Sequence, residues 1–225
     1  MLNSVKGIGA GTTVTTVNHR DQCTPLYNQF GKRVLDILFV ILTAPLSLML
    51  VPIMAILIMR TGAKPFFFQE RVGEGGKTFR IIKMQTMVPN AGELLATHLA
   101  NNPRAQVEWE QDQKLKNDPR ITPIGKLLRR TSLDELPQLW NVLRGEMSIV
   151  GPRPIMTNQL KLYSGKAYFE LRPGITGPWQ VSDRNMSSFA ARAEYDSKYL
   201  ENLSLKTDIS ILVRTVGAVL RCTGH

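Results

Sequence analysis

The sequence predicts an α+β protein that is mostly helical, with a small β-hairpin and a long apolar helix near its N-terminal end. Three observations carry this. From Val34 to Met59 only Asp36, Thr43 and Ser47 interrupt an apolar run, and about 20 apolar residues suffice to cross a hydrocarbon core of roughly 30 Å. From Pro65 to Met84 two β-prone stretches flank a glycine-rich tip, Gly73-Glu74-Gly75-Gly76, which is the pattern of a hairpin. Beyond the hairpin, apolar residues recur at helical spacing in several separate stretches.

Composition narrows the class. The chain has 225 residues, 43% hydrophobic and 20% charged, enough for one core of ordinary size once the apolar run is set aside. Its formal net charge of +10 would suit nucleic acid or an anionic lipid surface. The basic residues are dispersed, however, and no aromatic ladder interleaves with them. Lys32 and Arg33 precede the apolar run and Arg60 and Lys64 follow it, so lipid headgroups, and no nucleic acid, are the expected partner. Cys23 and Cys222 stand alone in the two tails, which argues against a disulfide framework or a structural zinc site.

Taken in order, residues 1–31 are rich in Thr, Gly and Asn and read as a mobile tail, residues 32–60 as a membrane helix, and residues 61–225 as one domain. Pro45 and Pro52 lie inside the apolar run, where each removes a backbone bond and bends the helix. Cations at both ends leave its orientation open. By hydropathy alone a kinked single-pass helix is the commoner outcome, and a helix that enters and returns to one face is the alternative. Residues 90–116 read as a charged helical excursion interrupted by Pro103. Thr122-Pro123 opens a short helix with Ile124, Leu127 and Leu128 on one face and Arg129 and Arg130 at its cation-favouring end. Two stiff loops follow, Gly151-Pro152-Arg153-Pro154 and Arg172-Pro173-Gly174-Ile175-Thr176-Gly177. In the last helix Ile209, Leu212, Val213, Val216, Val219 and Leu220 form one stripe that belongs to the core or to a membrane surface, the core being the commoner case.

The residues with most chemical interest are Asp134 and Glu135, at the start of a helix that begins at Ser132 and stops at Arg144-Gly145. Two readings stand. In the first, Ser132 and Glu135 form a capping box, and Leu136, Leu139, Trp140 and Leu143 form one buried stripe. In the second, the carboxylates serve phosphate chemistry beside the flanking arginines, at a helix start whose N–H groups favour negative charge.

Several motifs occur in a fixed order: Lys32-Arg33-x-x-Asp36, Gln69-x-Arg71-x-Gly73-x-x-Gly76-x-x-Phe79-x-x-x-Lys83, Asp118-Pro119-Arg120-Ile121-Thr122, Leu133-Asp134-Glu135-Leu136-Pro137-Gln138, Gly151-Pro152-Arg153-Pro154, Arg172-Pro173-Gly174-Ile175-Thr176-Gly177 and Tyr195-Asp196-x-x-Tyr199. Each is weak alone. Together, from about Lys32 onward, the chain resembles the bacterial sugar transferase family, the monotopic polyprenyl-phosphate phosphoglycosyltransferases. The resemblance implies a re-entrant helix broken near Pro45, with surface amphipathic helices and a catalytic domain on the cytoplasmic face of the bacterial inner membrane. It implies transfer of a sugar 1-phosphate from a UDP-sugar, galactose or glucose, to undecaprenyl phosphate at the first membrane step of exopolysaccharide assembly.

In that picture Asp134 is the nucleophile and Glu135 helps hold Mg²⁺, while Arg172, Lys83, Arg153 and Asp196 are candidate substrate or phosphate contacts. Lys32, Arg33, Asp36 and Pro45 anchor the membrane helix, Asp36 pairing with Lys32 or Arg33. Two positions depart from the family pattern: Ala44 stands where Ser often precedes the proline, and Gln85 where a cation commonly follows the hairpin. The alternative is a non-catalytic membrane scaffold that binds anionic lipid or nucleic acid.

Overall fold

The computed structural model describes residues 27–112, 115–182 and 191–220. Most of the expected tail, together with Cys23 and Cys222, lies outside them. Its last residues do not behave as a tail. Tyr27–Gly31 form a π-helical turn that runs directly into helix α1, Lys32–Met59.

Helix α1 runs unbroken through Pro45 and Pro52, so the interruption expected at Pro45 is not there. Neighbouring hydroxyls reinforce the backbone around it: Thr43 Oγ1 donates to the carbonyls of Phe39 and Val40, and Ser47 Oγ to that of Ala44. Such back-bonding and the proline gaps act as bending points while leaving the helix continuous. The middle of α1 is bare, with Leu42 79% and Leu48 75% exposed. Its ends are not. Near the start, Asp36 accepts from Ser148 Oγ and the Ile149 amide, both at 2.8 Å. Near the finish, Met54, Ala55 and Ile58 pack with Met84 and Leu128.

The hairpin is as expected: β1, Phe66–Val72, pairs antiparallel with β2, Thr78–Met84, from Phe66 opposite Met84 to Val72 opposite Thr78. The charged excursion forms α2, Ala91–Ala100, and α3, Pro103–Asp112. Helix α4, Pro123–Arg130, is capped by Thr122, whose hydroxyl accepts from the Gly125 amide. Only part of its expected apolar face is inside: Leu128 is buried, but Leu127 is 59% exposed.

The predicted helix from Ser132 divides. Leu133–Gln138 wind as a 3-10 turn and only Leu139–Leu143, α5, are α-helical. Three residues per turn instead of 3.6 shifts the phase of everything downstream. Gln138, Asn141 and Val142 therefore turn inward, while Trp140, predicted to be buried, is 57% exposed and Leu143 41%.

Strands β3, Ser148–Val150, and β4, Gly174–Thr176, form a two-residue parallel pair, Ser148 opposite Gly174 and Val150 opposite Thr176. This brings the two stiff loops together. The Gly174 amide donates to the Pro152 carbonyl, and a side chain at Gly174 would strike the Gly151 backbone. Helices α6, Arg192–Glu201, and α7, Leu205–Leu220, close the domain around a core of Val40, Ile81, Val142, Met147, Ile149, Tyr199 and Ile211.

Most of the apolar stripe of α7 stays out of that core, though Leu212 packs against it, partly buried. Asp208 and Ile211 are buried, and Thr215 Oγ1 meets Thr176 Oγ1 at 2.7 Å. Residues 208, 211 and 215 are thus the inward face. Val213, Val216 and Leu220 are turned out, 66%, 59% and 78% exposed. One buried ion pair sets this rotation: Lys32 Nζ lies 2.7 Å from Asp208 Oδ2.

Candidate functional site

Asp134 and Glu135 sit on the 3-10 turn, and the residue before it is strained. Ser132 has φ 56°, in the left-handed region that L side chains rarely enter. Its side chain caps nothing, so the capping box is not formed. The second carboxylate is taken by a distant partner instead: Lys83 Nζ, on β2, lies 2.6 Å from Glu135 Oε1.

What brings Lys83 there is a buried amide. Asn141 Oδ1 accepts from the Ile82 amide, and Asn141 Nδ2 donates to the Arg80 carbonyl. Helix α5 is thereby stitched to the backbone of β2 beside the lysine. Asn141 is 1% exposed. Nothing in the local sequence pattern announced its bonding to β2.

Lys83, Glu135 and Arg153 line one cleft with Arg71, Gln138, Pro154 and Gly174. Asp134 is buried beside Glu135. Burial pushes its carboxyl upward, with Lys83 pulling down and the Glu135 charge pushing up, to about 6. Burial also raises Glu135, but Lys83 and Arg153 outweigh it and hold that carboxyl below its ordinary value. The two neighbours are therefore split: one firmly charged, one poised near neutrality.

Arg129, one of the arginines flanking the carboxylates in the sequence, is a further cation at the dyad. Its Nε donates to Thr86 Oγ1 at 2.9 Å. Burial lowers its pKa and the Asp134 charge opposes that.

The remaining candidates divide. Arg153 stands in the cleft with its guanidinium 6.0 Å from the centre of the Trp179 ring. Arg172 is not among the cleft-lining residues; its Nε lies 3.3 Å from Glu74 Oε2 at the hairpin tip. Asp196 is also outside the cleft, buried and accepting from the Tyr163 hydroxyl at 2.7 Å. Its partner is thus a distant tyrosine and not adjacent Tyr195. Burial pushes its carboxyl up to about 6.

The anchor residues act differently from expectation. Lys32 bonds Asp208 and Tyr199, Arg33 donates to the Val142 and Leu143 carbonyls at the end of α5, and Asp36 bonds Ser148 and Ile149. Neither cation hydrogen-bonds Asp36. All three tie α1 to the domain across long stretches of chain.

Among the described residues no group of three His, Cys, Asp or Glu side chains gathers to hold a metal. The available donors are the two carboxylates of the dyad. That set is too small for a cage made of protein alone, yet fits Mg²⁺, which takes one or two carboxylates and completes its shell with phosphate oxygens and water.

The family described as bacterial sugar transferase matches residues 27–222. The chain is 47% identical over 199 residues to the UDP-galactose-lipid carrier transferase of Erwinia amylovora, covering 88% of this chain and 42% of that one. It is 45% identical over 199 residues to the undecaprenyl-phosphate galactose phosphotransferase of Salmonella typhimurium, with the same two coverages, 88% and 42%. With the exopolysaccharide production protein ExoY of Sinorhizobium fredii it shares 43% identity over 197 residues, 86% of this chain and 87% of that one. It thus spans less than half the length of the first two and most of the third.

Proposed function

Because the chain belongs to the bacterial sugar transferase family, we propose that it transfers a sugar 1-phosphate from a UDP-sugar to undecaprenyl phosphate and releases UMP. The observation that carries this reading is the split dyad at a cationic cleft, with Glu135 lining it and Asp134 buried alongside. A carboxylate attacking a diphosphate is an anion approaching an anion, and Lys83, Arg129 and Arg153 supply the opposing charge. An Asp134 oxygen attacks the phosphorus that bears the sugar. The bond from that phosphorus to the bridging oxygen breaks, and UMP leaves with the electron pair. An oxygen of the lipid phosphate then attacks the same phosphorus, returning the pair to Asp134 and joining the sugar phosphate to the lipid phosphate as a diphosphate.

Glu135 is the residue that would hold Mg²⁺, which when bound neutralises diphosphate charge. Lys83 keeps Glu135 charged and oriented for that task. Arg172 reaches the outer part of a donor once it leaves Glu74, and galactose is the favoured sugar because two relatives are named for it.

The membrane part of the reading rests on α1 and α7. Length and composition make α1 capable of crossing a bilayer, but both of its ends pack against the same domain. We read its bare middle as dipping into one leaflet, bent at Pro45 and Pro52, with the outward stripe of α7 on the same surface. Both segment ends and the catalytic domain then share the cytoplasmic face of the inner membrane, early in exopolysaccharide assembly.

Product identity tests the proposal. Incubation with UDP-galactose or UDP-glucose and undecaprenyl phosphate is expected to yield UMP. UDP as the nucleotide product would mean direct glycosyl transfer, and neither nucleotide would leave a lipid-binding scaffold.

A further inference from the structure

Arg71, on β1, lines the cleft but was assigned no task by the dyad chemistry. Its two terminal nitrogens are held by neutral acceptors, the Pro154 carbonyl at 3.0 Å and Gln69 Oε1 at 2.6 Å. Its Nε is buried without a hydrogen-bond partner. Among the described residues Arg71 forms no ion pair, while a second guanidinium, Arg153, is close enough that burial and that neighbour lower its pKa to about 10. Two like charges on the wall of one cleft are a costly arrangement unless an anion sits between or beside them.

Gln138 lines the same cleft and is 2% exposed, and its side-chain amide helps hold the Glu135 carboxyl charged. An amide donor beside that carboxylate, in a cleft with surplus guanidinium, offers a second polar group to an anion that enters. The backbone holds this geometry: β1 carries Arg71, the 3-10 turn carries Gln138, and the Pro154 carbonyl ties Arg71 to the loop of Arg153.

We propose that Arg71 and Gln138, together with Arg153, form a seat for a phosphate group on the inner wall of the cleft. This rests on the phosphoglycosyl transfer reading, in which the occupant is the phosphate of the sugar donor or of the lipid acceptor as each comes beside Asp134. Arg71 and Gln138 position that group; neither exchanges a proton or a bond with it.

The test is calorimetric titration of the full chain in detergent with UMP, inorganic pyrophosphate and a short-chain polyprenyl phosphate, with melting followed in parallel. Arg71→Gln is expected to weaken binding of the occupant about tenfold or more in a folded protein. Arg71→Lys restores part of it, since an ammonium keeps the charge but not the fork. Gln138→Ala weakens binding by a smaller factor. Weakened UMP and pyrophosphate binding with intact lipid binding assigns the seat to the donor, and the reverse assigns it to the acceptor. Should Arg71→Gln fail to fold, Arg71→Lys and Gln138→Ala carry the comparison. Unchanged binding of all three probes in the folded variants overturns the seat. Native protein that binds pyrophosphate through Arg71 yet releases no UMP from a UDP-sugar would instead sink the reaction and leave the seat standing.

Discussion

Two of the places where the chain buries charge are built on opposite terms. At the foot of α1, Asp208 accepts from Lys32 and Tyr27 on one oxygen and from Tyr199 on the other, so each side chain there answers another. In the cleft, Arg71 keeps an unmet donor, and Asp134 is pushed toward neutrality. A saturated network specifies geometry and has nothing left to offer a ligand. An unsaturated one stores binding capacity at a cost in stability. The contrast separates, within one small domain, the charges that hold α1 and α7 in place from those proposed to meet a substrate.

Mutations at the two places are expected to act on different observables. The largest effect belongs to Asp134→Asn, which removes the attacking oxygen. Capture of labelled sugar phosphate on the protein in the absence of lipid should fall by more than about a thousandfold, with melting unchanged or raised. An adduct that persists would break the assignment.

Asp208→Asn is the counterpart in the saturated network. It leaves the Lys32 ammonium buried without its anion and should cost on the order of 3 kcal/mol in denaturant unfolding, while folded protein still turns over. A variant as stable as the native chain would erase the comparison. Glu135→Gln takes the anion from Lys83 and should lower melting, though less than Asp208→Asn because both side chains of this pair are about a fifth exposed, and on the proposed metal role it should lower turnover about 10- to 100-fold.

The pH dependence follows from Asp134. Its folded value near 6 lies above the ordinary carboxylate value of about 4, so on acidification the folded chain takes this proton before the unfolded one does. The group favours folding most below about pH 4 and loses that contribution as pH rises through 6, on the order of 3 kcal/mol. Donor capture should therefore increase through one titration between about pH 5 and 7. Asp134→Asn should melt higher than the native chain at pH 7.5 and lose that advantage near pH 4. The smallest effect is at Ser132. Replacement by Gly relieves its left-handed backbone and should raise stability by about 0.5–1 kcal/mol, measurable as a shifted denaturation midpoint.

Much of this molecule was legible without coordinates where neighbours along the chain decide the outcome. The apolar run of α1, the glycine tip of the hairpin, the Thr122 cap and the Gly145 stop, at φ 77°, are local matters of side-chain type and backbone sterics. The order of the motifs was enough to single out Asp134 and Glu135. Where a choice depended on partners far away in sequence, local pattern misled. Glu135 went to Lys83, 52 residues distant, instead of to the Ser132 amide. Asp36 went to Ser148, 112 residues distant, instead of to Lys32 one turn away. The α7 stripe faced outward because Lys32, 176 residues away, claimed Asp208.

The sequence by itself thus determined which segments are apolar, where the chain turns and which carboxylates stand together, since those follow from adjacent residues. Only the tertiary structure decided which charges are neutralised and which are left unsatisfied around the cleft. Desolvation and charge pairing depend on everything packed nearby, whatever its distance along the chain.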